Sequence, residues 1–380
     1  MIVTADPDDL GAILSVVPNA NVLIRALQCS AVIAATDCAA SSVVGLTMAI
    51  PIGILDQSPI VSGSTPAEAV TASIALAKRA DQLGYHRYWL AEHHAMGGLA
   101  DASPEILLAR LTAETSRIRL GTGGVMLPHY SALKVAETFR MLEALAPGRI
   151  DLGIGRAPGG THLVSAALET GDVNRFPQQI ADTIDFLDET TPDRSPFAPL
   201  KAMPTGGTSP AVWMLGSSQY GALLAAEMGL PYTYAHFIGG DAPAIVRMYR
   251  ERFKPSRRHA QPRAIVALAA ITAPSLEEAE ELTWPVSLWR LRLFRGLSSP
   301  VPSRAETAAY PWTSLERSEI AATRRIIAGT PDDVRVKIEE KIEEHGADEA
   351  LIVTIAPDYE LRLRSYELLA KAFAMDKIAA

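Results

Sequence analysis

Eight short apolar segments, separated by stretches with helical periodicity, constrain the fold more than any other feature of this sequence. Their apolar residues run continuously, as in strands that are covered on both faces. Repeated alternation of strand and helix favours a parallel sheet, and eight such units fit a (β/α)8 TIM barrel. An open, doubly wound α/β sheet is the alternative. The predicted strands cover residues 52–55, 88–91, 118–121, 150–154, 212–215, 232–235, 265–271 and 350–355.

The alternation is interrupted twice, after the fourth and after the seventh predicted strand. Residues 157–210 are rich in Pro and Gly around one helix, and residues 283–325 are irregular and contain Trp284, Trp289 and Trp312. We interpret both segments as insertions that supply a lid and a substrate pocket. The aromatic and apolar character of the second insertion predicts an uncharged substrate.

Composition excludes several classes of protein. The 380-residue chain has a net charge of −8 and contains no basic block, which argues against nucleic acid as a main partner. No window reaches the roughly 18 uncharged apolar residues of a membrane span, so no membrane partner is expected. The two cysteines, Cys29 and Cys38, do not suggest a disulfide-stabilised secreted fold, and a reducing cytoplasm is the predicted location.

Residues 1–47 differ in character from the rest of the chain. They are rich in Ala, Val and Ser, and Met48 stands directly before the first convincing strand. The opening residues 1–9 are acidic where a secretory signal would be basic, so an export signal is disfavoured. We interpret residues 1–47 as a poorly ordered extension, for which a start codon assigned too far upstream is one explanation. Residues 48–380 are predicted to form a single domain.

Three adjacent ionisable residues, Glu92, His93 and His94, follow the second predicted strand. A barrel carries its chemistry at the carboxyl ends of its strands, and a neutral imidazole there suits general acid–base catalysis near pH 7. Consecutive strand residues point to opposite faces, and no further ligand has a defined spacing, so a metal site is not predicted. The alternative is a purely structural role, with buried histidines and a Glu92 ion pair.

Glycines and an arginine follow the third and fourth predicted strands. Residues 121–124 read Gly-Thr-Gly-Gly, which indicates either a β-bulge or the close approach of a flat ligand. Residues 153–160 contain a pattern like a dinucleotide fingerprint, but Pro158 argues against a helix opening directly there. Arg156 is better explained as a phosphate ligand, with a surface salt bridge as the alternative.

The fifth predicted strand is followed by Gly216, Ser217 and Ser218, directly before a helix. Two hydroxyls and the free N–H groups of a helix N-terminus together suit an anion. An ordinary serine N-cap is the alternative. In a barrel, this position and Arg156 open on the same face as His93, which is the layout expected for a mononucleotide cofactor beside its substrate.

In combination and order, these motifs resemble those of the luciferase-like flavin monooxygenases, whose best-known members are the bacterial luciferase subunits. The resemblance covers residues from about 50 to 375 and rests on segments 89–94, 121–128, 153–156, 216–218, 229–231 and 329–331. It implies that His93 is the catalytic histidine, and Glu92 and His94 beside it are predicted to be catalytic as well. It also implies that Gly123 and Gly124 lie against the flavin ring, where relatives have a cis peptide bond.

The resemblance further implies a complete flavin site. Leu55 would pack near the ring, and the phosphate would be held by Arg156, Ser217, Ser218 and the N–H of Gly221. One departure is Gly155, which stands where the light-emitting members carry a reactive cysteine. Light emission from an aldehyde is therefore not expected.

The activity implied is that of a two-component monooxygenase. Reduced FMN from a separate flavin reductase would be used with O2 to oxygenate a small organic substrate. Two alternatives are hydride transfer from a reduced deazaflavin on the same fold, and a flavin-binding subunit without catalysis. The helices after the second and third strands carry Ala- and Leu-rich faces, from which we predict a homodimer.

Overall fold

The computed structural model describes residues 50–375, and ten strands of this part of the chain form one parallel sheet. Eight of them close into a ring, because the last strand pairs with both the first and the seventh of the ring. This confirms the TIM barrel and excludes the open sheet. The strands are β1 (Ile52–Asp56), β2 (Arg87–Leu90), β3 (Arg119–Thr122), β4 (Val125–Met126), β5 (Ile150–Gly155), β6 (Ala211–Gly216), β7 (Tyr232–Ala235), β8 (Ala264–Thr272), β9 (Ile326–Gly329) and β10 (Glu349–Val353).

The ring follows chain order, β1-β2-β3-β5-β6-β7-β8-β10, and each predicted strand overlaps one of its members. The strands β4 and β9 were not predicted, since β4 has only two residues and β9 directly follows the segment expected to be irregular. They pair with the carboxyl-terminal parts of β5 and β8 and so extend the barrel at that end. The predicted N-terminal extension, residues 1–47, lies outside the described residues.

Helices cover the outside of the barrel. The first begins as Thr65 and Glu68 predict, with reciprocal capping bonds between these two residues, and it ends at Gly84, whose φ is +84°. The helices are α1 (Pro66–Leu83), α2 (Pro104–Glu114), α3 (Ala132–Leu145), α4 (His162–Ala167), α5 (Phe176–Leu187), α6 (Gln219–Met228), α7 (His236–Gly239), α8 (Pro243–Arg252), α9 (Leu276–Phe294), α10 (Arg304–Ala309), α11 (Ser314–Thr323), α12 (Pro331–His345) and α13 (Tyr359–Ala372). No helix of residues 50–375 is long and apolar enough to cross a membrane.

The two insertions follow the fourth and seventh strands of the ring, as predicted, but the expected irregularity of residues 283–325 is wrong. Most of this segment is helical and belongs to α9, α10 and α11. Pro285, which suggests a helix break, lies inside α9. The buried side chains of Val286, Leu288 and Trp289 hold α9 against the barrel, and this packing outweighs the lost backbone hydrogen bond.

The barrel interior is filled rather than open. Trp89 and Trp213 pack edge to face inside it, with ring centroids 5.7 Å apart. At the amino ends of the strands, the buried Arg87 donates to Asp151 at 2.6 Å and also pairs with Glu349. A ligand therefore has no room in this lower half, and the cavities lie toward the carboxyl ends of the strands.

Candidate active site

The predicted site residues lie at the carboxyl ends of five neighbouring strands. Leu55 is in β1, and Glu92, Gly123, Arg156 and Ser217 follow β2, β3, β5 and β6. Because the barrel strands are parallel, these ends meet at one rim of the barrel. The closed ring therefore brings the histidine segment and the anion-binding segment to the same face.

A cavity of about 280 Å³ opens between these strand ends. Thr233 of β7 and Phe237 of the short helix after it complete its wall. All seven residues expected to bind the cofactor line it, namely Leu55, Gly123, Gly124, Arg156, Ser217, Ser218 and Gly221. We call this space the rim cavity. Its position is an observation, and the binding role of each residue remains a prediction.

Bare backbone forms one wall of the rim cavity. Gly123 and Gly124 are joined by a cis peptide bond. A Cβ atom added to Gly123 would overlap Cδ1 of Leu55, and one added to Gly124 would lie 2.6 Å from the carbonyl oxygen of Gly153. The pairing of this segment with β5 also contains an extra residue. Gly121 pairs with Asp151 and Val125 pairs with Ile154, so four residue steps in one segment match three in β5. The pairing therefore contains the extra residue of a β-bulge, and the protein's own atoms occupy the Cβ positions of both glycines, while the approach of a flat ligand stays a prediction.

The opposite end of the rim cavity suits an anion. Arg156 is exposed, has no carboxylate partner within residues 50–375, and lies with its guanidinium carbon 4.2 Å from the centroid of the Tyr220 ring. Ser218 is the N-cap of α6, yet its side chain makes no capping hydrogen bond. Its hydroxyl and the N–H groups of the first helical turn thus remain available to a ligand.

These features fit a flavin mononucleotide. The bare glycine wall accommodates a flat ring, and the anionic end offers a cation, hydroxyls and a helix N-terminus to a phosphate. The buried hydroxyl of Thr233 also lines the rim cavity and has no hydrogen-bond partner in the described structure. A polar ligand would satisfy this hydroxyl.

Glu92 organises the segment after β2. Its buried carboxylate accepts hydrogen bonds from Nε2 of His94 at 2.7 Å, from the hydroxyl of Tyr130 at 2.8 Å and from the backbone N–H of Met126 at 3.0 Å. Both carboxylate oxygens are thereby occupied. Glu92 holds His94 and the chain after β4 in place, and its bonds do not extend to His93.

His93 faces a different environment. Burial, followed by the neighbouring charge of His94, lowers the pKa of His93 to about 4, so the imidazole is neutral at pH 7. Its Nδ1 atom is buried without a partner in the described structure. Its backbone N–H donates to the carbonyl oxygen of Asp101 at 3.0 Å, and burial raises the pKa of the Asp101 carboxyl to about 7.

A second cavity of about 500 Å³ has His93 in its wall. We call it the lid cavity, because Trp289 and other residues of the second insertion cover it. Phe237 and Ile238 line both the lid cavity and the rim cavity, so the two spaces adjoin. A ligand in either cavity would therefore meet the side chains of these two shared residues.

Sequence reasoning missed Thr233, Phe237 and Ile238 in these walls, and Asp101, whose carbonyl oxygen accepts the His93 N–H. A signal existed for Phe237 and Ile238, since they follow the end of β7 and thus lie at the chemical rim of a barrel. Within residues 50–375, no group of three or more His, Cys, Asp or Glu side chains could hold a metal ion.

Comparison with known proteins identifies the family. The sequence model described as "luciferase-like monooxygenase" matches residues 50–349. This chain belongs to the luciferase-like monooxygenase family. It is accordingly an oxidoreductase that uses molecular oxygen. Two relatives come from Bacillus subtilis. The uncharacterized protein YwcH is 44% identical over 86% of this chain and 99% of its own length. N-acetyl-S-alkylcysteine monooxygenase is 35% identical over 85% of this chain and 98% of its own length.

Solved structures of luciferase-like proteins share this fold. Apo-MsnO8 is 38% identical, with a TM-score of 0.79 over 86% of this chain and 98% of its own. Two distant structures show the fold alone. One is the oxygenating constituent of 3,6-diketocamphane monooxygenase from Pseudomonas putida in complex with FMN. It is 18% identical and matches 85% of this chain and 98% of its own with a TM-score of 0.62. The other is an F420-dependent secondary alcohol dehydrogenase, 14% identical, covering 86% and 99% with a TM-score of 0.61.

Proposed function

We propose that this monooxygenase takes reduced FMN from a separate flavin reductase and uses it with O2 to oxygenate a small organic substrate. The observation that carries the proposal is the rim cavity, which combines a bare glycine wall with a cation, two serine hydroxyls and a helix N-terminus. Relatives named as monooxygenases, among them N-acetyl-S-alkylcysteine monooxygenase, support oxygenation of a small molecule.

The chain's own residues have distinct tasks in this proposal. Reduced FMN, when bound, supplies the electrons that activate O2. Arg156, Ser217 and Ser218 hold the phosphate and thereby fix the position of the ring. Leu55 and the two glycines after β3 present a flat, uncharged surface to it. The mostly apolar side chains of the lid cavity exclude water from the reacting groups.

His93 is the proposed catalytic residue. Its lowered pKa keeps the imidazole neutral across the physiological range, so it accepts a proton or a hydrogen bond rather than acting as a pre-charged acid. The buried Nδ1 has no partner in the described structure, and we assign this interaction to it. Glu92 and His94 are positioning residues in this account, because their hydrogen bonds connect them to each other and to Tyr130.

The proposed homodimer has structural support on the outer helices. Ile106 of α2 is 70% exposed, and Met141 and Leu145 of α3 are each 55% exposed. These apolar side chains lie on the two helices whose faces predict subunit pairing. Light scattering of the purified protein tests this, with twice the chain mass expected and a monomer mass contradicting it.

Oxygen consumption tests the proposed function. The purified chain is mixed with reduced FMN or reduced deazaflavin under defined O2, and both ligand binding and oxygen uptake are followed. Saturable binding of reduced FMN, with substrate-dependent oxygen uptake, is the expected result. Tight binding of the deazaflavin alone would favour the hydride-transfer alternative. Saturable FMN binding without oxygen uptake across a substrate panel would favour a non-catalytic subunit.

A further inference from the structure

The lid cavity has a one-sided charge. Arg290 and Arg325 line it, and no aspartate or glutamate of the described residues does. Most of the remaining wall is apolar, with Trp289 and Val286 on the insertion side and Ile355 after β10. Oxygenation as such does not require two cations in an apolar cavity beside His93. Their presence points to the ligand.

Neither arginine has an anionic partner among the described residues. Arg290 is half-buried and makes no hydrogen bond or ion pair within residues 50–375, and burial together with the charge of Arg325 lowers its pKa. Arg325 donates from Nη1 to the carbonyl oxygen of Ile238, a neutral acceptor. Arg290 also borders an adjacent crevice that contains Glu319, but no ion pair joins the two.

Three other arginines of the same insertion are each paired with a glutamate, and a fourth, Arg317, lies over the rings of Trp284 and Trp312. The pairs are Arg295 with Glu316, Arg304 with Glu281, and Arg324 with Glu280. These carboxylates are therefore already engaged. Two half-buried guanidinium groups remain at this wall, and the charge of Arg325 disfavours that of Arg290. An anion brought by a ligand would remove this repulsion.

We propose that the lid cavity binds a carboxylic acid with an apolar body, whose carboxylate pairs with Arg290 and Arg325. This rests on the proposed function, since it names the substrate class of that same site. The planar guanidinium group suits a two-point contact with a carboxylate, and the side chains of Trp289 and Val286 cover a hydrocarbon body. The proposal replaces the uncharged substrate expected from the tryptophan-rich sequence.

The volume and the neighbours of the lid cavity agree with this class. Its 500 Å³ lies within the range of about 300–1,000 Å³ for small-molecule sites. His93 and Phe237 line the same cavity, and Phe237 also lines the rim cavity. An acid held at the arginines can therefore extend its apolar body along the wall that adjoins the flavin site.

Equilibrium binding of two matched probes, decanoate and 1-decanol, tests the proposal on the full chain with and without FMN. We expect decanoate to bind at least about tenfold more tightly. Arg290→Met and, independently, Arg325→Met are expected to weaken decanoate binding by about 10- to 100-fold and to leave 1-decanol within about threefold. The control is Arg247→Met, at an exposed arginine of α8, which should bind both probes as the unmodified chain does. Thermal unfolding confirms that each variant is folded.

Three binding results would overturn the anion site. They are equal affinity for decanoate and 1-decanol, an equal loss of affinity for both probes in the two cavity variants, and no binding of decanoate. Because binding requires no turnover, the proposed function fails separately. Arginine-dependent decanoate binding without FMN-dependent oxygen uptake would support the anion site and contradict the oxygenase. Oxygen uptake stimulated by 1-decanol and not by decanoate would overturn the anion site and leave the oxygenase standing.

Discussion

The buried carboxylate of Glu92 accepts a hydrogen bond from Nε2 of His94 at 2.7 Å. One Glu92 oxygen serves both His94 and Tyr130, while the other accepts the Met126 N–H. In Glu92→Gln the amide NH2 must face a donor on one of these sides, so one donor is left without an acceptor. We expect the free energy of unfolding to fall by about 1–3 kcal/mol, measured by urea denaturation.

Tyr130→Phe is the matched control for Glu92→Gln, since it removes one hydrogen bond and leaves the carboxylate intact. Its expected cost is about 1 kcal/mol. A Glu92→Gln variant as stable as the unmodified chain would show that this carboxylate does not hold the histidine segment together.

Replacing His93 separates its chemical role from its packing. His93→Ala is expected to lower turnover by about 10²- to 10⁴-fold, because a positioned base is lost, while reduced FMN binding changes little. Steady-state oxygen uptake and flavin titration measure the two effects. Undiminished turnover in His93→Ala would refute the catalytic assignment.

The lowered pKa of His93 makes stability depend on pH. Between the ordinary value of 6.5 and the folded value of about 4, the unfolded chain binds a proton that the folded chain does not. The free energy of unfolding should therefore decrease as pH falls through this window, by about 3 kcal/mol in total from this group. Asp101, whose pKa is raised to about 7, acts in the opposite sense within this window.

The contribution of His93 is isolated by comparing the unmodified chain with His93→Asn at each pH. The difference between their unfolding free energies cancels the contribution of Asp101 and of other groups. It should change steadily between pH 6.5 and 4 and be constant above pH 7. Parallel stability curves across that window would contradict the burial of a neutral imidazole.

The phosphate assignment of Arg156 predicts a loss that depends on the ligand. Arg156→Ala removes a charge-assisted contact and should weaken FMN binding by about 10- to 100-fold. Riboflavin has no phosphate, so its affinity should change little. Fluorescence titration with both ligands measures this, and equal weakening of the two would place the phosphate elsewhere.

The lower end of the barrel should govern stability alone. Arg87→Met leaves the buried carboxylates of Asp151 and Glu349 without their shared cation, at an expected cost of about 3–5 kcal/mol. Arg335→Met, which breaks a surface pair with Glu339, should cost no more than about 1 kcal/mol. Urea denaturation compares the two, and similar costs would contradict the importance of the buried network.

Chain order and apolar runs were sufficient to predict the barrel and the rim. A buried parallel strand is apolar throughout, so its end is visible in the sequence where Glu92, Arg156 and Ser218 appear. The bonding of these residues was not predictable. Glu92 bonds to Tyr130, 38 residues away, and no periodic pattern relates two positions at that separation.

The position and the charged lining of the lid cavity could not be predicted from the sequence. The sequence predicted an irregular segment over residues 283–325, whereas tertiary packing of Trp289 preserves the helix across Pro285, and only the helix shows that Arg290 faces a cavity. The neighbours Arg324 and Arg325 look alike in sequence, yet one is bound by Glu280 and the other lines the cavity. Such differences depend on contacts between distant segments, which local residue patterns do not encode.

Determining a crystal structure of this chain in complex with FMN would test the central claim most directly. The flavin ring should lie against Gly123 and Gly124, with its phosphate within hydrogen-bond distance of Arg156 and Ser218 and with His93 facing the reactive side. A flavin bound outside the rim cavity, or one whose phosphate lies far from both residues, would contradict the account.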